Sequence, residues 1–546
     1  MTARQRWSTR LRVLGLVIPC ALLSAAFLAG GGSAQSQSSS AKSKRFGELR
    51  VVLDTIDFLD PAQAYTAQSW AAMWDVYQTL LTYQHVAGPG GYKLVPGLAE
   101  SMPKISHDKK VYSFKLRAGL RYSNGKPVLA SDFKSTIKRD FLATSPGVGF
   151  YEGIVGATEF EKKQASDISG IVTNNKRRTI VIRLASPRGD FLTIIALLFA
   201  APVPSGTPPE DQSTNPIPAT GPYRIASYDP NRGFTLVRNR FFRPTKDIPA
   251  GNPDKITVSL VGDANAAVQR VVGGSADYTN AAIPAERIAD AQGRGRLRLR
   301  AAANTYYFWM NTRVAPFNDV RVRKAVNYAI DRQAMVKTVW GGLGRPTQNV
   351  LPPTYPSYHP LNLYPHDLAK ARALIKQAGV EGTKVTVWGR QVSDSVTATE
   401  LYASYLEQIG LKTEIKILPR STYYTTIGNA DTKAQTGWAR WLEDYPHPLD
   451  WFDVLLNGNR ITSTDNNNFA WYSNSRTDRM IEQLKSEPVL TGAVNKRWAQ
   501  AEKLIMQQAP WAPWSNRVFP EFFSKGMSCI VMQPLYGVDL LRICKS

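Results

Sequence analysis

The chain has 546 residues and a formal net charge of +24; 43% of its residues are hydrophobic and 20% are charged. This length allows large buried cores and more than one domain, and the composition excludes a largely disordered protein. The basic residues are scattered, apart from short clusters at 176–178 and 294–300, which argues against a nucleic-acid-binding protein. The positive charge is consistent with attraction to an anionic cell wall or lipid surface. The alternative is that the proteins of the source organism are basic in general.

The first residues have the pattern of an export signal. Four arginines between residues 4 and 12 precede an almost unbroken apolar run at 13–28, and Gly32-Ser33-Ala34 fits the small-residue site that signal peptidase cleaves. We therefore predict a signal peptide at 1–34, export of the protein, and a flexible tether at 35–45. An uncleaved membrane anchor is the alternative, because the apolar run is close to the length that spans a bilayer.

The elements predicted in the first half of the chain are mostly short strands. A helix is predicted over 67–83, where large apolar side chains recur at helical spacing. Ser131 or Asp132 can cap a second helix that runs to about Leu142. Residues 205–222 are rich in Pro, Ser, Thr and Gly and predict a linker. Alternating or β-rich segments predict strands at 48–53, 111–116, 223–228, 234–238 and 255–261.

Residues 304–417 show a β-α-β rhythm, which indicates a partly parallel sheet. An aromatic strand comes first. The helix after it has its cap at Asn318 or Asp319 and its stop at Gly341-Gly342. The remaining elements predicted here are a helix between Asp367 and Gly379, strands at 384–388 and 412–417, and a helix at about 396–409.

Familiar catalytic and metal-binding motifs are missing from the sequence. Its 5 histidines form no HExxH pattern, and no CxxC pair, G-x-S-x-G elbow or glycine-rich nucleotide loop occurs. We therefore predict no metal site, no cofactor and no catalysis. Three S-x-x-K patterns leave a secreted serine hydrolase as a rival from another class: Ser101/Lys104, Ser131/Lys134 and Ser135/Lys138.

Only two cysteines, Cys529 and Cys544, follow the predicted signal peptide. Outside the cytosol, where disulfides form and persist, such a pair predicts one disulfide. The bond would close a short loop and fix the C-terminal segment. Two free thiols are the alternative.

The stretch WLEDYPHPLDWFDV at 441–454 interleaves four acidic residues with aromatic ones. A general acid/base pair is a poor explanation, because neighbours such as Glu443 and Asp444 point apart in extended backbone. A solvated acidic loop is the simplest alternative. The aromatic residues between the acids favour recognition of a cation, which a carboxylate and ring faces can bind together. If the acids were solvated instead, Trp438 and Trp441 would form a stacking floor for a sugar.

Several segments follow one another in a characteristic order: Leu59-Asp60-Pro61-Ala62, Tyr77-Gln78-Thr79-Leu80, Pro96-Gly97-Leu98-Ala99-Glu100, 112–117, 125–127, 130–133, 319–325 and 327–332. Together they resemble the extracytoplasmic solute-binding proteins of ABC importers, specifically family 5, the peptide/nickel type. The resemblance covers residues 47–545. Within it, Trp441-x-x-Asp444-Tyr445-x-x-Pro448 is similar to a W-x-x-D-Y-x-x-P segment of the oligopeptide-binding members.

The resemblance implies an α/β fold of the periplasmic-binding-protein type II-like class, with two lobes around a ligand cleft. Crossings of the chain near Asn304 and Pro510 would form the hinge. The expected domains are lobe I at 46–90, 212–303 and 511–546, an extra inserted domain at 91–211, and lobe II at 304–510.

For the ligand site, the resemblance implies that Asp444 accepts the α-ammonium group of a peptide, whose backbone pairs with the adjoining strand. Trp441 would be a pocket wall, and Tyr65 would face the ligand from the opposite lobe. Arg440 stands where oligopeptide binders often have glycine, so it would either block the added strand or meet a ligand carboxylate. The residues predicted to bind ligand are Asp444, Trp441, Tyr445, Trp438, Arg440, Tyr65 and Ala67.

The resemblance also implies a mechanism without covalent chemistry. The lobes close around a short peptide, and the closed form delivers it to an ABC permease at the membrane. The expected protein is a monomer in the periplasm or on the outer face of the cell membrane, with no nucleic-acid partner. The alternatives are a non-peptide solute in the same fold, such as an oligosaccharide, opine or metal chelate, and a domain that signals to a membrane partner.

Overall fold

The computed structural model describes residues 45–545, except 282, 284–287, 289–290, 292–295 and 488–489. The predicted signal peptide at 1–34 and nearly all of the predicted tether lie outside the described residues. Among those that are described, no helix is both long and apolar enough to cross a membrane.

The strands are numbered here in chain order. They are β1 Phe46–Leu53, β2 Leu81–Tyr83, β3 Leu94–Pro96, β4 Lys104–Ile105, β5 Val111–Lys115, β6 Ile171–Asn174, β7 Thr179–Arg183, β8 Tyr223–Asp229, β9 Gly233–Arg238, β10 Pro253–Leu260, β11 Tyr278–Thr279, β12 Leu297–Ala301, β13 Asn304–Met310, β14 Gly344–Pro346, β15 Lys384–Arg390, β16 Lys412–Leu418, β17 Thr436–Leu442, β18 Trp511–Phe523, β19 Met527–Ser528, β20 Met532–Gln533, β21 Gly537–Val538 and β22 Cys544–Lys545.

Helices connect many of these strands. The α-helices are Ala67–Met73, Ala130–Leu142, Val148–Tyr151, Ala157–Glu161, Phe191–Ile194, Ala264–Val272, Val320–Ala329, Arg332–Trp340, Leu368–Ala378, Ser393–Gln408, Tyr423–Ile427, Leu449–Leu456, Ser475–Lys485 and Gly492–Gln507. Short 3-10 helices lie at Gly88–Tyr92, Leu198–Ala200, Ala430–Thr432 and Gly458–Arg460.

A large mixed sheet runs through the molecule in the order β16-β15-β17-β13-β18-β11-β1-β10-β9-β8, and β12 and β14 pair with β18 beside this path. β1 is parallel to β10 and β11, and β15 is parallel to β16 and β17. The other pairs of this sheet are antiparallel. With helices between its parallel strands, the sheet is an α/β arrangement, as the sequence predicts.

Two large hydrophobic cores lie along this sheet. The first core gathers buried apolar side chains mainly from 49–278 and 523–543, and the second core gathers those from 303–514. Both cores use β18, because its beginning pairs with β13 and its end pairs with β11 and β12.

The chain passes between the cores at two places. After β12 the chain passes from the first core to the second core, which it enters with β13. It passes back to the first core along β18. Trp511 and Trp514 pack in the second core, although the sequence-based bounds assign 511–546 to lobe I. β18 continues unbroken from the second core to the first, since its beginning pairs with β13 and its end with β11 and β12.

A smaller antiparallel sheet, β4-β5-β7-β6, lies in the predicted inserted domain. The helix Ala130–Leu142 joins this region to the segment that follows β1. Arg139 of the helix donates from Nη1 to Oδ1 of Asp60 at 2.8 Å and from Nη2 to Oδ2 at 2.5 Å. Asp60 and Arg139 are 0% and 4% exposed, so this is a buried ion pair. Asp60 also accepts hydrogen bonds from the N–H groups of Ala62 and Gln212, both at 2.9 Å.

Three predicted helices differ from those observed. The helix predicted over 67–83 ends at Met73, because Leu81–Tyr83 instead pairs with β3 as strand β2. The helix expected to run to Gly341 is two helices, since the Asp331 side chain caps a new start by accepting the N–H groups of Gln333 and Ala334.

The third difference is at the start of a helix. Neither Ser131 nor Asp132 is the cap residue of Ala130–Leu142, which begins before both. Asp132 lies in the first turn, and its side chain accepts the N–H of Leu129 at 2.9 Å.

Cys529 and Cys544 form a disulfide with their Cα atoms 5.3 Å apart, the pairing that the sequence predicts. β19 and β22 pair directly beside it, Ser528 opposite Cys544. The bond therefore holds the last residues of the chain against the segment that follows β18.

Candidate functional site

The acidic stretch forms the end of β17, a loop, and the first turn of the helix Leu449–Leu456. Glu443 and Asp444 begin the loop, and Asp450 lies in the first helical turn. The side chain of Tyr445 packs in the first core, whereas residues on both sides of it pack in the second core. The acids therefore lie where the two cores meet.

Asp444 is bound across this junction. Its Oδ2 atom accepts a hydrogen bond of 2.8 Å from the hydroxyl of Tyr65, whose ring contacts first-core residues. Its backbone N–H donates to Oδ2 of Asp450 at 3.0 Å. Burial raises the pKa of Asp444 to about 7, although the Tyr65 hydrogen bond lowers it. Within the described part of the chain, no lysine or arginine forms an ion pair with Asp444.

Asp450 is fully buried beneath Asp444. Its Oδ2 atom also accepts the indole N–H of Trp441 at 3.0 Å, while its Oδ1 atom has no hydrogen-bond partner among the described residues. Burial, and then the charge of Asp444, raises the pKa of Asp450 well above its usual value. Two carboxylates this close, one half-buried and one fully buried, are costly to ionise together unless a cation joins them.

Glu443 is held by tyrosines from both sides of the junction. Its Oε1 atom accepts from the hydroxyl of Tyr92 at 2.8 Å, and its Oε2 atom accepts from the hydroxyl of Tyr355 at 2.7 Å. Burial raises its pKa to about 8, against the lowering effect of both tyrosines. Both carboxylate oxygens of Glu443 thus accept hydrogen bonds from neutral donors, next to Asp444 in the chain.

Tyr445 makes a third bond across the junction. Its hydroxyl donates to Oδ2 of Asp190 at 2.7 Å, and Arg188 also binds that carboxylate, from Nε at 2.7 Å and Nη2 at 3.2 Å. Burial alone would raise the pKa of Asp190, but the Arg188 guanidinium brings it below the usual value. Asp190 therefore has the cation that Asp444 lacks.

Aromatic rings line the first-core side of the site. The centroid of Tyr65 lies 6.0 Å from that of Trp70 and 5.9 Å from that of Phe199. Phe199 stacks on Phe150 at 6.1 Å, and Phe150 meets Tyr445 edge to face at 6.0 Å. The tyrosine that binds Asp444 thus belongs to a group of packed aromatic rings, although Tyr65 itself is 43% exposed.

The remaining polar residues of the stretch have structural partners. Asp453 pairs with Lys485 at 3.0 Å and accepts from Asn457 at 2.7 Å. His447 accepts the N–H of Leu449 at its Nδ1 atom, and burial lowers its pKa to about 4, so its ring is neutral near pH 7. His447 thus stabilises the start of this helix, and Asp453 binds residues at and beyond its end.

Three other predicted ligand-binding residues, Trp438, Ala67 and Arg440, have different surroundings. Trp438 is fully buried in the second core, 6.0 Å from the ring of Tyr306, and is not exposed as a stacking floor. Ala67 is exposed at the start of the helix Ala67–Met73. Arg440 lies on β17 and donates from Nη1 to the Tyr306 hydroxyl at 3.3 Å.

The S-x-x-K patterns form no serine–lysine pair in the structure. Lys134 binds Asp167, and Lys138 donates to the carbonyl of Ser166 at 2.9 Å. Ser135 shares a hydrogen bond of 3.1 Å with Ser205. Across the described ranges, no three metal-ligating side chains gather so that they could hold an ion.

Comparison with known proteins identifies the family. The model of the bacterial extracellular solute-binding proteins, family 5, matches residues 93–463, which is more than half of the chain. The chain belongs to this family. Both the resemblance read from the sequence and the expected fold are thereby confirmed, and the family is one of binding proteins.

Among curated proteins, this family 5 member is 27% identical over 498 residues to heme-binding protein A of Haemophilus influenzae, covering 86% of each chain. It is 26% identical over 482 residues to di/tripeptide-binding protein 1 of Pseudomonas aeruginosa, covering 83% of this chain and 86% of that one. Glutathione-binding protein GsiB of Escherichia coli is 26% identical over 502 residues, with 88% and 90% covered.

Solved structures show the same fold. Clavulanic acid biosynthesis oligopeptide binding protein 2 superposes with a TM-score of 0.85 at 24% identity, covering 92% of this chain and 96% of that one. The binding protein DppA of Helicobacter pylori, solved with the peptide STSA, gives a TM-score of 0.73 at 20% identity, covering 92% and 99%.

Reasoning from the sequence missed several residues of the site. Glu443 and Asp450 were noticed as acids but given no role. Tyr92 ends a 3-10 helix and Tyr355 lies in a proline-rich loop, 351 and 88 residues away from Glu443, and no local pattern connects them to it. The one sequence feature that could have predicted them is the acid-rich loop, because its acids need hydrogen-bond partners from elsewhere in the chain.

Proposed function

We propose that this protein captures short peptides with a free amino terminus and delivers them to an ABC permease in the cell membrane. The observation that carries the proposal is Asp444, a half-buried carboxylate at the junction of the two cores without an ion-pair partner in the described chain. An α-ammonium group supplies the missing charge and up to three N–H donors. It also makes ionisation of Asp444 favourable beside Asp450.

Two of the relatives and one solved structure support a peptide, while a further relative is a heme-binding protein. One is a di/tripeptide-binding protein, another binds glutathione, and a structure of the same fold holds the peptide STSA. The end of β17 next to Asp444 offers backbone N–H and C=O groups, which bind peptides without regard to their side chains.

Closure of two lobes explains why the site sits between the cores. We propose that the first and second cores belong to lobes I and II, which are joined after β12 and along β18. Tyr65, Tyr92 and Tyr445 each donate a hydroxyl across the junction, to Asp444, Glu443 and Asp190. A ligand that contacts both lobes favours the closed state, because only in that state can the ligand make all of its contacts with the protein.

The other expectations follow from this proposal. The protein acts by binding, not by catalysis, and it works as an exported monomer in the periplasm or at the outer face of the membrane. The permease and its ATPase are separate chains, and the closed form of this protein is what the permease recognises.

Thermal unfolding with matched peptides tests the proposal. The protein should first be unfolded and refolded to remove any solute that co-purifies. A tripeptide with a free amino group, at about a hundred times its dissociation constant, should stabilise the fold by about 2.7 kcal/mol. The N-acetylated form of the same peptide should give almost no shift, because it has no ammonium group for Asp444.

Two outcomes would contradict the proposal. Equal stabilisation by the free and acetylated peptides would remove Asp444 as an ammonium acceptor. No stabilisation by any short peptide, together with a shift from an oligosaccharide, opine or metal chelate, would replace the peptide by that solute.

A further inference from the structure

The loop 188–190, which follows β7 on the first-core side, meets the end of the helix Ser475–Lys485 on the second-core side. The backbone N–H of Gly189 donates to the carbonyl oxygen of Lys485 at 2.7 Å. The last carbonyls of a helix have no partner inside the helix, so this hydrogen bond completes the helix end from a distant part of the chain. The contact between 188–190 and 485–487 is called the latch below.

A lysine adds to the latch from the first-core side. Lys109 lies between β4 and β5, and its Nζ atom is 3.5 Å from the carbonyl oxygen of Ser486 and 3.5 Å from Oε2 of Glu487. The C-terminal end of a helix carries a partial negative charge, which a nearby cation stabilises. The side chains of Lys109 and Glu487 are 38% and 34% exposed, so this ion pair by itself contributes little.

Gly189 leaves no room for a larger residue in the latch. A β-carbon at this position would lie 2.2 Å from the carbonyl oxygen of Glu487 and 3.1 Å from that of Lys485. Both are backbone atoms, which cannot rotate away as the end of a flexible side chain can. The φ of Gly189 is outside the left-handed region, so the loop itself accepts alanine. Alanine is therefore excluded only while the loop touches 485–487.

Neighbouring residues fix the loop to the first-core side. Arg188 donates to the carbonyl oxygen of Phe150 at 3.3 Å and binds the buried carboxylate of Asp190. Asp190 in turn accepts the hydroxyl of Tyr445, so the latch lies beside a second bond across the same junction. Because the loop is anchored in this way, it can leave 485–487 only when the two sides of the junction move apart.

We propose that the latch stabilises the closed state of the two lobes and slows release of the bound solute. The inference rests on the proposed function and deepens it, because closure is then favoured by contacts of the protein itself as well as by the ligand. A solute that leaves through the open state is released more slowly when the closed state is more stable. Since all latch contacts join protein groups, the delay should be the same factor for every solute. A static packing contact, the alternative, would leave release unchanged.

The release rates of two tripeptides test the latch. Stopped-flow tryptophan fluorescence at increasing concentrations of trialanine or trileucine gives the release rate constant as the intercept of the observed rate. Gly189→Ala should accelerate release of both peptides by the same factor of about ten, because one hydrogen bond and the close fit of the loop are lost. Lys109→Gln, at a partly exposed site, should accelerate it by about twofold.

The matched control is Gly262→Ala. Gly262 is exposed after β10, and a β-carbon there meets no atom within 4 Å. This variant should release both tripeptides at the wild-type rate. If Gly189→Ala does not fold, Lys109→Gln decides the question, since an unchanged release rate in that variant would refute the latch.

Three results with folded Gly189→Ala would overturn the inference: release at the wild-type rate, an equal acceleration in Gly262→Ala, or a factor that differs between the two tripeptides. The last would place Gly189 against the ligand. If no peptide binds, the proposed function fails, and small-angle X-ray scattering of the refolded protein then tests the latch without a ligand. The radius of gyration should be larger for Gly189→Ala than for the wild type, and equal radii would refute the latch.

Discussion

Replacing Asp444 by asparagine should weaken binding of a free tripeptide by about 100-fold. Asparagine keeps the shape of the side chain but removes the negative charge that pairs with the ammonium group. A charged hydrogen bond in a buried site contributes about 2–4 kcal/mol, and each 1.4 kcal/mol corresponds to about tenfold in affinity. Calorimetric titration near neutral pH measures the change directly.

The same variant should also change the pH dependence of binding. In the free protein the pKa of Asp444 is raised to about 7, so at low pH a proton occupies the carboxylate that the ammonium group needs. Wild-type affinity should therefore rise by at most about tenfold per pH unit from about pH 5 to about pH 7. Above about pH 8 it should fall again, as the amino group of the peptide loses its proton. The asparagine variant should lack the rising limb.

The raised pKa has an opposite effect on the stability of the ligand-free protein. The folded-state pKa of Asp444 lies above its unfolded value of about 3.9. The stability that protonated Asp444 contributes to the folded protein is therefore fully present below about pH 4 and is lost as the pH rises through about 7. The empty wild-type protein should thus lose stability over this range, and Asp444→Asn should lose less.

Asp431→Asn is the matched control, because Asp431 is an exposed acid and the substitution removes the same charge. It should bind the tripeptide as the wild type does. If Asp444→Asn bound the tripeptide with unchanged affinity and pH dependence, Asp444 would not be the ammonium acceptor.

Replacing Asp60 by asparagine should lower the free energy of unfolding by about 3–5 kcal/mol, because it leaves the buried guanidinium of Arg139 without a counter-charge. Asp60 also organises the turn before Tyr65, since it accepts the N–H groups of Ala62 and Gln212. Denaturant unfolding of the two proteins gives the difference.

An exposed ion pair provides the control for Asp60. Asp229 and Arg232 lie 3.9 Å apart with side chains 49% and 89% exposed. Asp229→Asn should therefore cost no more than about 1 kcal/mol. A loss for Asp60→Asn as small as that for Asp229→Asn would show that the buried pair does not hold the segment before Tyr65.

The sequence predicts those parts of the fold that local chemistry determines. Asp319 and Asp367 cap helices at the predicted positions, and Gly379 ends one with a φ of 67°, which favours glycine. The helix predicted over 67–83 was wrong because pairing with β3 overrides helical spacing. Asp331 was missed as a cap because the apolar pattern continues on both sides of it.

The sequence predicts only the part of the site that lies in the acid-rich loop. The motif around Asp444 located the acids, and Tyr65 was placed opposite them through the resemblance. Burial of Asp450 and the contacts of Glu443 with Tyr92 and Tyr355 depend on packing between segments distant in the chain. Trp438 looked like a pocket residue because it lies close to the acids in sequence, but β17 directs it into the second core.

The measurement that tests the central claim most directly is a crystal structure of the refolded protein with a free tripeptide. We expect the amino nitrogen of the peptide about 2.7–3.0 Å from a carboxylate oxygen of Asp444, the distance of a charge-assisted hydrogen bond. A peptide bound elsewhere, or one in the cleft with its amino group turned away from Asp444, would contradict the account.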